Sequence, residues 1–279
     1  MVPGGTKGMT SVTSALSKAA KAIFRSLGYE LIPSPMNAWY EQRLTLGKHL
    51  MQVFDRCRIN CVIDVGAHYG EYGAFLREIG YTGRLISFEP VRRNFEQLRK
   101  RSVQDAHWQV NNMALGGADT TAEIKVFHET ELSSFLTPND YCAEHMGNKD
   151  LIAGTEQVQV KTVDSVFGQC VDGIEEPRVF LKLDTQGYDL TVLQKATGHL
   201  DRIQGLQCEL SVKPIYEAMP SYLDALPRMC EMGFEVTGLF PVNRDSSFRV
   251  IELDCVMLRV ASAGNDARAA HLKIGATHQ

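Results

Sequence analysis

Cys61-Val-Ile-Asp-Val-Gly-Ala-His-Tyr-Gly70 is the stretch that decides the fold. Its first five residues make a short apolar run of the kind that fills a buried strand, and Gly66 and Gly70 then break it with a turn. Glu71 to Ile79 follows with Tyr72, Phe75, Leu76 and Ile79 at the spacing of one helix face. The stretch reads as strand, tight turn, helix.

The same alternation recurs downstream. Arg84 to Glu89 reads as a second strand, followed after Pro90 by a polar helix with apolar points at Val91, Phe95 and Leu98. Trp108 to Val110 is a third short strand, and Ala122 to Phe127 a further, antiparallel one. Leu136 to Gln157 is polar and reads as irregular, with Tyr141 to Gly154 either a lid over a substrate or a disordered insertion. Val158 to Val163 and the nearly continuous apolar run Val179 to Asp184 are strands, and Asp189 to Ala196 is a helix. Strand Gly205 to Leu210 and helix Tyr222 to Met232 come next. Phe234 to Phe240 and Glu252 to Val260 have only a Pro, Asn, Asp and Ser-rich turn between them, which predicts a hairpin. The pattern predicts an α/β fold: a mostly parallel sheet, helices on both faces, and one antiparallel strand from the terminal hairpin.

Upstream, Ala15, Leu16, Ala19, Ala20, Ile23, Phe24 and Leu27 recur at helical spacing, with Lys18, Lys21 and Arg25 off that stripe. Such a basic amphipathic helix admits peripheral contact with a membrane, or packing on the catalytic domain or on a second copy as a homodimer. Pro33 and Pro35 separate it from another helical stretch, Trp39 to Phe54. The expected organisation is an extension over 1–55, a catalytic domain over 56–262 and a flexible tail over 263–279.

Composition bounds the partners. Of 279 residues, 44% are apolar and 22% charged, which excludes disorder as the dominant state. Twenty-nine Lys and Arg against 33 Asp and Glu leave a net charge of −4, so no global positive field exists to hold nucleic acid. The seven cysteines are scattered without a Cys-x-x-Cys pair and read as reduced thiols. With no apolar run of bilayer length and no signal-peptide core, the expected address is the cytoplasm, with the N-terminal helix offering a contact to the inner face of the membrane.

In an open α/β sheet the ligand crevice lies beyond the carboxyl ends of the strands. The residues ending or nearly ending four of them are Asp64, Glu89, Asp184 and Glu209, all acidic. The glycines at 66, 70 and 73 give G-x-x-x-G-x-x-G, not the G-x-G-x-x-G that seats a pyrophosphate on a helix N-terminus. A carboxylate two positions before the first Gly also repels phosphate. S-adenosylmethionine, with its sulfonium and ammonium, fits better, and Glu89 stands about 25 residues on, where a carboxylate can accept from both ribose hydroxyls.

Val62 to Gly70, Ile86-Ser-Phe-Glu-Pro90, Ala114-Leu-Gly116, Ser133-Ser134 and Leu181-Lys-Leu-Asp-Thr-Gln-Gly-Tyr-Asp-Leu190 resemble, in order, the motifs of the FkbM-type methyltransferases. The resemblance covers roughly Ile59 to Leu258. It implies a seven-stranded Rossmann-like methyltransferase sheet, S-adenosylmethionine as donor, and a hydroxyl acceptor on a sugar of a glycolipid, polysaccharide or glycosylated natural product. Carried over by position, Asp64, Gly66, Ala67, His68 and Gly70 shape the methionine end of the cofactor site. Glu89 with Pro90 takes the ribose, and Asn112, Met113 and Ala114 the adenine edge. Ser133, Ser134, Gln186 and Tyr188 fall to the acceptor. Two residues depart from the family pattern: His68 stands where Asn is usual, and Gln186 where Glu is common.

Asp184 is the first candidate for general base or hydroxyl orienter, against a role capping its own turn. Glu209 either touches substrate or pairs with Lys182 or Lys213. An imidazole can exchange a proton near neutral pH, which makes His68 the third catalytic candidate, against a backbone hydrogen bond; His128 and His145 read as solvated. Asp184, Asp189 and Glu209 raise the question of a divalent cation, but no compact metal signature is present and no metal is predicted. Two other classes stay open. A nicotinamide-dependent oxidoreductase shares the opening motif but lacks the phosphate-binding glycines, and a noncatalytic module would use a degenerate cofactor pocket or the basic N-terminal helix to dock on a partner or membrane.

Overall fold

The computed structural model describes residues 37–145 and 151–260, with Phe24 and Ser26. The chain divides into two units, Met1–Leu46 and Gly47–Gln279. The elements in order are α1 (Asn37–Cys57), β1 (Cys61–Val65), α2 (Glu71–Glu78), β2 (Arg84–Phe88), α3 (Arg92–Ser102), β3 (Trp108–Asn111), β4 (Ala114–Leu115) and β5 (Thr120–Phe127). They continue with α4 (Asp140–His145), β6 (Ile152–Lys161), α5 (Val163–Val171), β7 (Val179–Leu183), α6 (Asp189–Leu193), β8 (Ile203–Ser211), α7 (Tyr222–Glu231), β9 (Phe234–Arg244) and β10 (Val250–Arg259). Of the expected N-terminal helix, Phe24 and Ser26 are described and are helical; the rest of it, and the expected tail, lie outside the described residues.

Every residue of β1 and of β7 is buried, as their apolar runs require of strands covered on both faces. The seven-stranded sheet runs β3-β2-β1-β7-β8-β10-β9. β10 is antiparallel to both of its neighbours, and the other pairs are parallel. From β1 the chain winds outward to β3, then returns to place β7 on the other side of β1. That reversal puts the crevice at the carboxyl ends of β1 and β7.

The two faces of this sheet differ in chemistry. Ile63, Val65, Leu181, Leu183, Leu206 and Cys208 pack with residues of α5, α6 and α7 in one apolar core. On the opposite face Ser87, Asp64, Lys182 and Gln207 stand in register across β2, β1, β7 and β8, a polar row through the centre of the sheet. Period-2 alternation makes that row possible without interrupting the core.

A second sheet, β4-β6-β5, stands beside the first. It corrects the expectation of an irregular stretch from Leu136 to Gln157. Asp140–His145 is helical, and Ile152–Lys161 pairs antiparallel with β5. The middle of β6, from Gly154 to Gln157, is polar and mostly exposed, whereas Val158 and Val160 are buried against Val91, Ala114 and Ile124. The strand expected to run to Val163 stops at Lys161, and Val163–Val171 is helix α5: Val163, Val166, Phe167, Cys170 and Val171 are buried, and the Thr162 side chain accepts from Ser165 N–H. The helix expected to reach Ala196 ends at Leu193, and the chain continues in three-residue turns.

Candidate active site

A cavity of about 230 Å³ opens where β1, β2 and β7 end. Its geometry starts at the glycine turn. Gly66 and Ala67 N–H both donate to Phe88 O at 3.0 Å, tying the turn to β2. Gly66 has φ +76°, and a Cβ there would lie 1.8 Å from Asp184 O. The turn therefore passes directly over the exit of β7, and no side chain fits between them.

His68 follows with φ +49°, a left-handed conformation uncommon outside glycine. That backbone bend aims its N–H at Glu89 Oε2, 2.8 Å away. Its ring lies against that of Tyr69, tilted by 33° with centroids 3.8 Å apart, and Nε2 lies 2.8 Å from Thr130 Oγ1. Glu71 Oε2 is 3.4 Å from Nδ1.

Glu89, just past the end of β2, is 4% exposed. Its Oε1 accepts from Val91 N–H at 2.9 Å and from Asn94 Nδ2 at 3.3 Å. Burial pushes the carboxyl up to about 7, against the hydrogen bonds from Val91 and His68 that favour its charge. Asn112 stands behind it, Nδ2 donating to Glu89 O and Pro90 O at 3.0 and 2.9 Å. Beyond Glu89 the wall turns apolar with Val91, Ala114, Leu115, Ile124 and Phe135.

The opposite wall is a hydrogen-bonded chain. Gln186 Nε2 donates to Asp184 Oδ1 at 3.1 Å and to Glu209 Oε2 at 3.0 Å. The Tyr216 hydroxyl lies 3.0 Å from Gln186 Oε1 and 2.7 Å from Leu132 O. Gln186 also has a left-handed φ, +52°, and its carbonyl accepts from Ser134 Oγ at 2.7 Å. Both non-glycine residues of the wall with positive φ are thus clamped by neighbours, as backbone strain at sites requires. A neutral amide joins the two carboxylates where a third carboxylate would repel both. Burial, and then the charges of Asp184, Glu252, Asp254 and Asp189, push the Glu209 carboxyl well up.

Beneath this wall lies Lys182, 5% exposed, with Nζ 3.1 Å from Asp184 Oδ2, 3.5 Å from Asp64 Oδ1 and 3.3 Å from Gly66 O. Asp64 is fully buried. Its Oδ2 accepts from Ser87 Oγ at 2.9 Å, and Ser87 Oγ in turn accepts from Trp108 Nε1 at 3.0 Å. Burial pushes the Asp64 carboxyl up and the Lys182 charge opposes that shift. Asp189 is committed to the backbone: Oδ1 accepts from Thr185 N–H and Oγ1, and Oδ2 from Glu209 N–H at 3.1 Å, pinning the ends of β7 and β8 together.

The structure thus brings Gly66, His68, Glu89, Pro90, Ala114, Ser133, Ser134, Asp184, Gln186 and Glu209 into one cavity wall. Asp64, Ala67, Gly70, Asn112, Met113 and Tyr188 are outside that wall. Asp64 acts on it through Lys182, and Asn112 through the Glu89-Pro90 backbone. Tyr188 packs against Phe135, ring centroids 5.5 Å apart. Ser133 Oγ accepts from Phe127 N–H at 3.2 Å, and Ser134 Oγ from Leu136 N–H at 3.0 Å, so both shape the loop that crosses the cavity. Sequence reasoning missed Thr130, Ile124, Phe135 and Asn243, which arrive from the second sheet, its loop and β9. Among the described residues no cluster of three His, Cys, Asp or Glu converges as a metal site, and no helix is long and apolar enough to cross a membrane.

The polar end of the cavity carries Glu89, Glu131, Asp184 and Glu209 and, among the described residues, no Lys or Arg. That set of acceptors suits a nucleoside with a positive centre and is a poor seat for a pyrophosphate.

Residues 64–236 match the profile of the methyltransferase FkbM domain. No curated protein matches the chain in sequence. Among solved structures, fibrillarin from Aeropyrum pernix with natively bound S-adenosyl-L-methionine is 10% identical, with a TM-score of 0.39 over 71% of this chain and 66% of that one. An rRNA methylase from Streptococcus thermophilus is 12% identical, with a TM-score of 0.37 over 73% and 88%. The 1,6-didemethyltoxoflavin-N1-methyltransferase of Burkholderia thailandensis, solved with S-adenosylhomocysteine, is 8% identical, with a TM-score of 0.39 over 93% and 94%. The profile match runs from the β1 aspartate into β9, well over half of the sequence, and the chain belongs to the FkbM-domain methyltransferase family.

Proposed function

We propose that the protein is an S-adenosylmethionine-dependent O-methyltransferase whose acceptor is a hydroxyl on a sugar of a glycolipid, polysaccharide or glycosylated natural product. The observation that carries the cofactor assignment is Glu89. Its Oε1 is held by Val91 N–H and Asn94 Nδ2, while Oε2 accepts only from His68 N–H and keeps a lone pair for a ribose hydroxyl at the mouth of an apolar slot. Bound there, the cofactor supplies a methyl group made electrophilic by its sulfonium.

The chain's own residues do the rest by placement. Glu89 holds the ribose, and Val91, Ala114, Ile124 and Phe135 enclose the base. Gln186 fixes Asp184 and Glu209 at one spacing. Asp184, half-exposed at the cavity and paired with Lys182, orients the acceptor hydroxyl. Glu209, whose affinity for a proton is raised by burial and neighbouring carboxylates, takes the hydroxyl proton as the oxygen gains the methyl. His68 closes the turn over Glu89 through its backbone N–H. The sugar acceptor rests on the family resemblance, and a hydroxyl fits a wall made of hydrogen-bond acceptors.

Mass spectrometry of glycolipids and polysaccharides from cells with and without the gene tests this reading. A species that is lighter by one methyl group without the gene identifies the acceptor. Unchanged glycan masses, with a methyl difference in another class of molecule, would replace it.

A further inference from the structure

Beside Glu209 the sheet carries acceptors that methyl transfer alone leaves unused. Glu209 and Ser211 are two apart on β8, and Asp254 and Glu252 stand directly opposite them on β10. All four therefore face the same side of the sheet. Ser211 and Glu252 are 2% and 3% exposed, and Ser211 Oγ and Glu252 Oε1 have no hydrogen-bond partner. Glu252 Oε2 accepts from Asn243 Nδ2 at 2.8 Å, and Asn243 lines the cavity, so this pair of orphans adjoins the acceptor wall. Asp254 is satisfied by Gln207 Nε2 at 2.9 Å. Leaving buried oxygens without a donor is unfavourable, more so for a carboxylate, and a bound group that supplies donors relieves it.

Charge narrows the class of that group. Asp184, Glu209, Glu252 and Asp254 face this region, and Lys182 is committed to Asp64 and Asp184. An ammonium offers three N–H donors and a positive charge. Three acceptors await it: Glu209, Glu252 Oε1 and Ser211 Oγ. A phosphate or carboxylate next to the reacting hydroxyl would meet only like charge.

We propose that the recess formed by Glu209, Ser211, Asn243 and Glu252 recognises an amino group on the acceptor, next to the hydroxyl that is methylated, which makes an amino sugar the preferred substrate class. The assignment rests on the methyl-transfer reading of the same cavity. Asn243 ties the recess to the cavity: its Nδ2 holds Glu252 Oε2, leaving Glu252 Oε1 for the ammonium.

The test uses the full chain saturated with S-adenosylhomocysteine, titrated at neutral pH with two probes that differ in one group, methyl 2-amino-2-deoxyglucoside and methyl glucoside, followed by ligand-observed NMR. The amino sugar should bind about tenfold more tightly than the neutral one. Glu252→Gln should bring the two within about twofold while S-adenosylhomocysteine affinity is kept, and Ser211→Ala should reduce the preference without changing any charge. Equal affinity of the two sugars, or a preference that survives both substitutions in folded protein, would overturn the assignment of the recess. Failure of the wild-type chain to bind S-adenosylhomocysteine would overturn the methyl-transfer reading together with it.

Discussion

Lys182 and Asp64 form an ion pair inside the sheet, Nζ 3.5 Å from Oδ1, with neither residue more than 5% exposed. The same ammonium reaches Asp184 at the cavity, so one buried cation couples the polar row of the sheet to the acceptor wall. Removing it strands two carboxylates. Lys182→Met should destabilise the fold by about 3–5 kcal/mol in urea unfolding, and the double variant with Asp64→Asn should lose clearly less than the sum of the singles.

Gly66 is fixed by the backbone of another strand. With φ +76° and a would-be Cβ 1.8 Å from Asp184 O, Gly66→Ala forces the turn and the end of β7 apart. We expect a loss of about 3 kcal/mol or more of stability and no measurable cofactor binding, read by thermal unfolding and calorimetry.

Glu89 links the site to pH. Its carboxyl rises from an ordinary 4.5 to about 7 on folding, so between those values the folded chain holds a proton that the unfolded chain releases. This group's stabilising contribution is therefore complete below pH 4.5 and is lost as pH rises through about 7, on the order of 3 kcal/mol. Cofactor affinity runs the other way, because a ribose diol donates to the ionised form. S-adenosylhomocysteine binding should strengthen from pH 6 to 8, and Glu89→Gln should flatten both dependences.

Glu209 separates chemistry from cofactor binding. Glu209→Gln keeps the shape and a hydrogen bond to Gln186 through its carbonyl but cannot take a proton. Turnover should fall by about 10²–10⁴-fold with cofactor affinity within about twofold of wild type. In the wild type, turnover should rise with pH as this buried carboxyl ionises, in the company of Asp184, Glu252, Asp254 and Asp189.

The strands of the main sheet were legible because Cys61–Val65, Arg84–Phe88 and Val179–Leu183 are short, mostly apolar runs bounded by turns, and the hairpin because nothing helical separates its arms. From that order alone the crevice and its acidic strand ends follow. Of the second sheet, the strands at Ala122 to Phe127 and from Val158 on were legible, but the first half of β6 was not: after Ile152 and Ala153 it runs Gly-Thr-Glu-Gln without alternation, and its pairing with β5 is long-range. Helix α5 did carry a readable signal, buried positions at 163, 166, 167, 170 and 171, but its opening Val continues a strand-like Val-Gln-Val run. Thr130, Ile124 and Phe135 reach the cavity from the second sheet and its loop, and Asn243 from the end of β9, which runs on to Arg244 past the expected strand end at Phe240; no local period records either placement. The left-handed backbones of His68 and Gln186 escaped for a different reason, since sequence flags positive φ through glycine. The Asp64 side chain illustrates the limit of reading a strand end: one residue from the end of β1, alternation turns it into the sheet and toward Lys182.

The central claim is that the cavity at the β1/β7 switch point binds S-adenosylmethionine with Glu89 on its ribose. Calorimetric titration of the wild-type chain and of Glu89→Ala with that cofactor tests it most directly. The account predicts one molecule bound per wild-type chain and at least about thirtyfold weaker binding by a folded Glu89→Ala variant; equal affinities in the two, or no binding by the wild type, would contradict it.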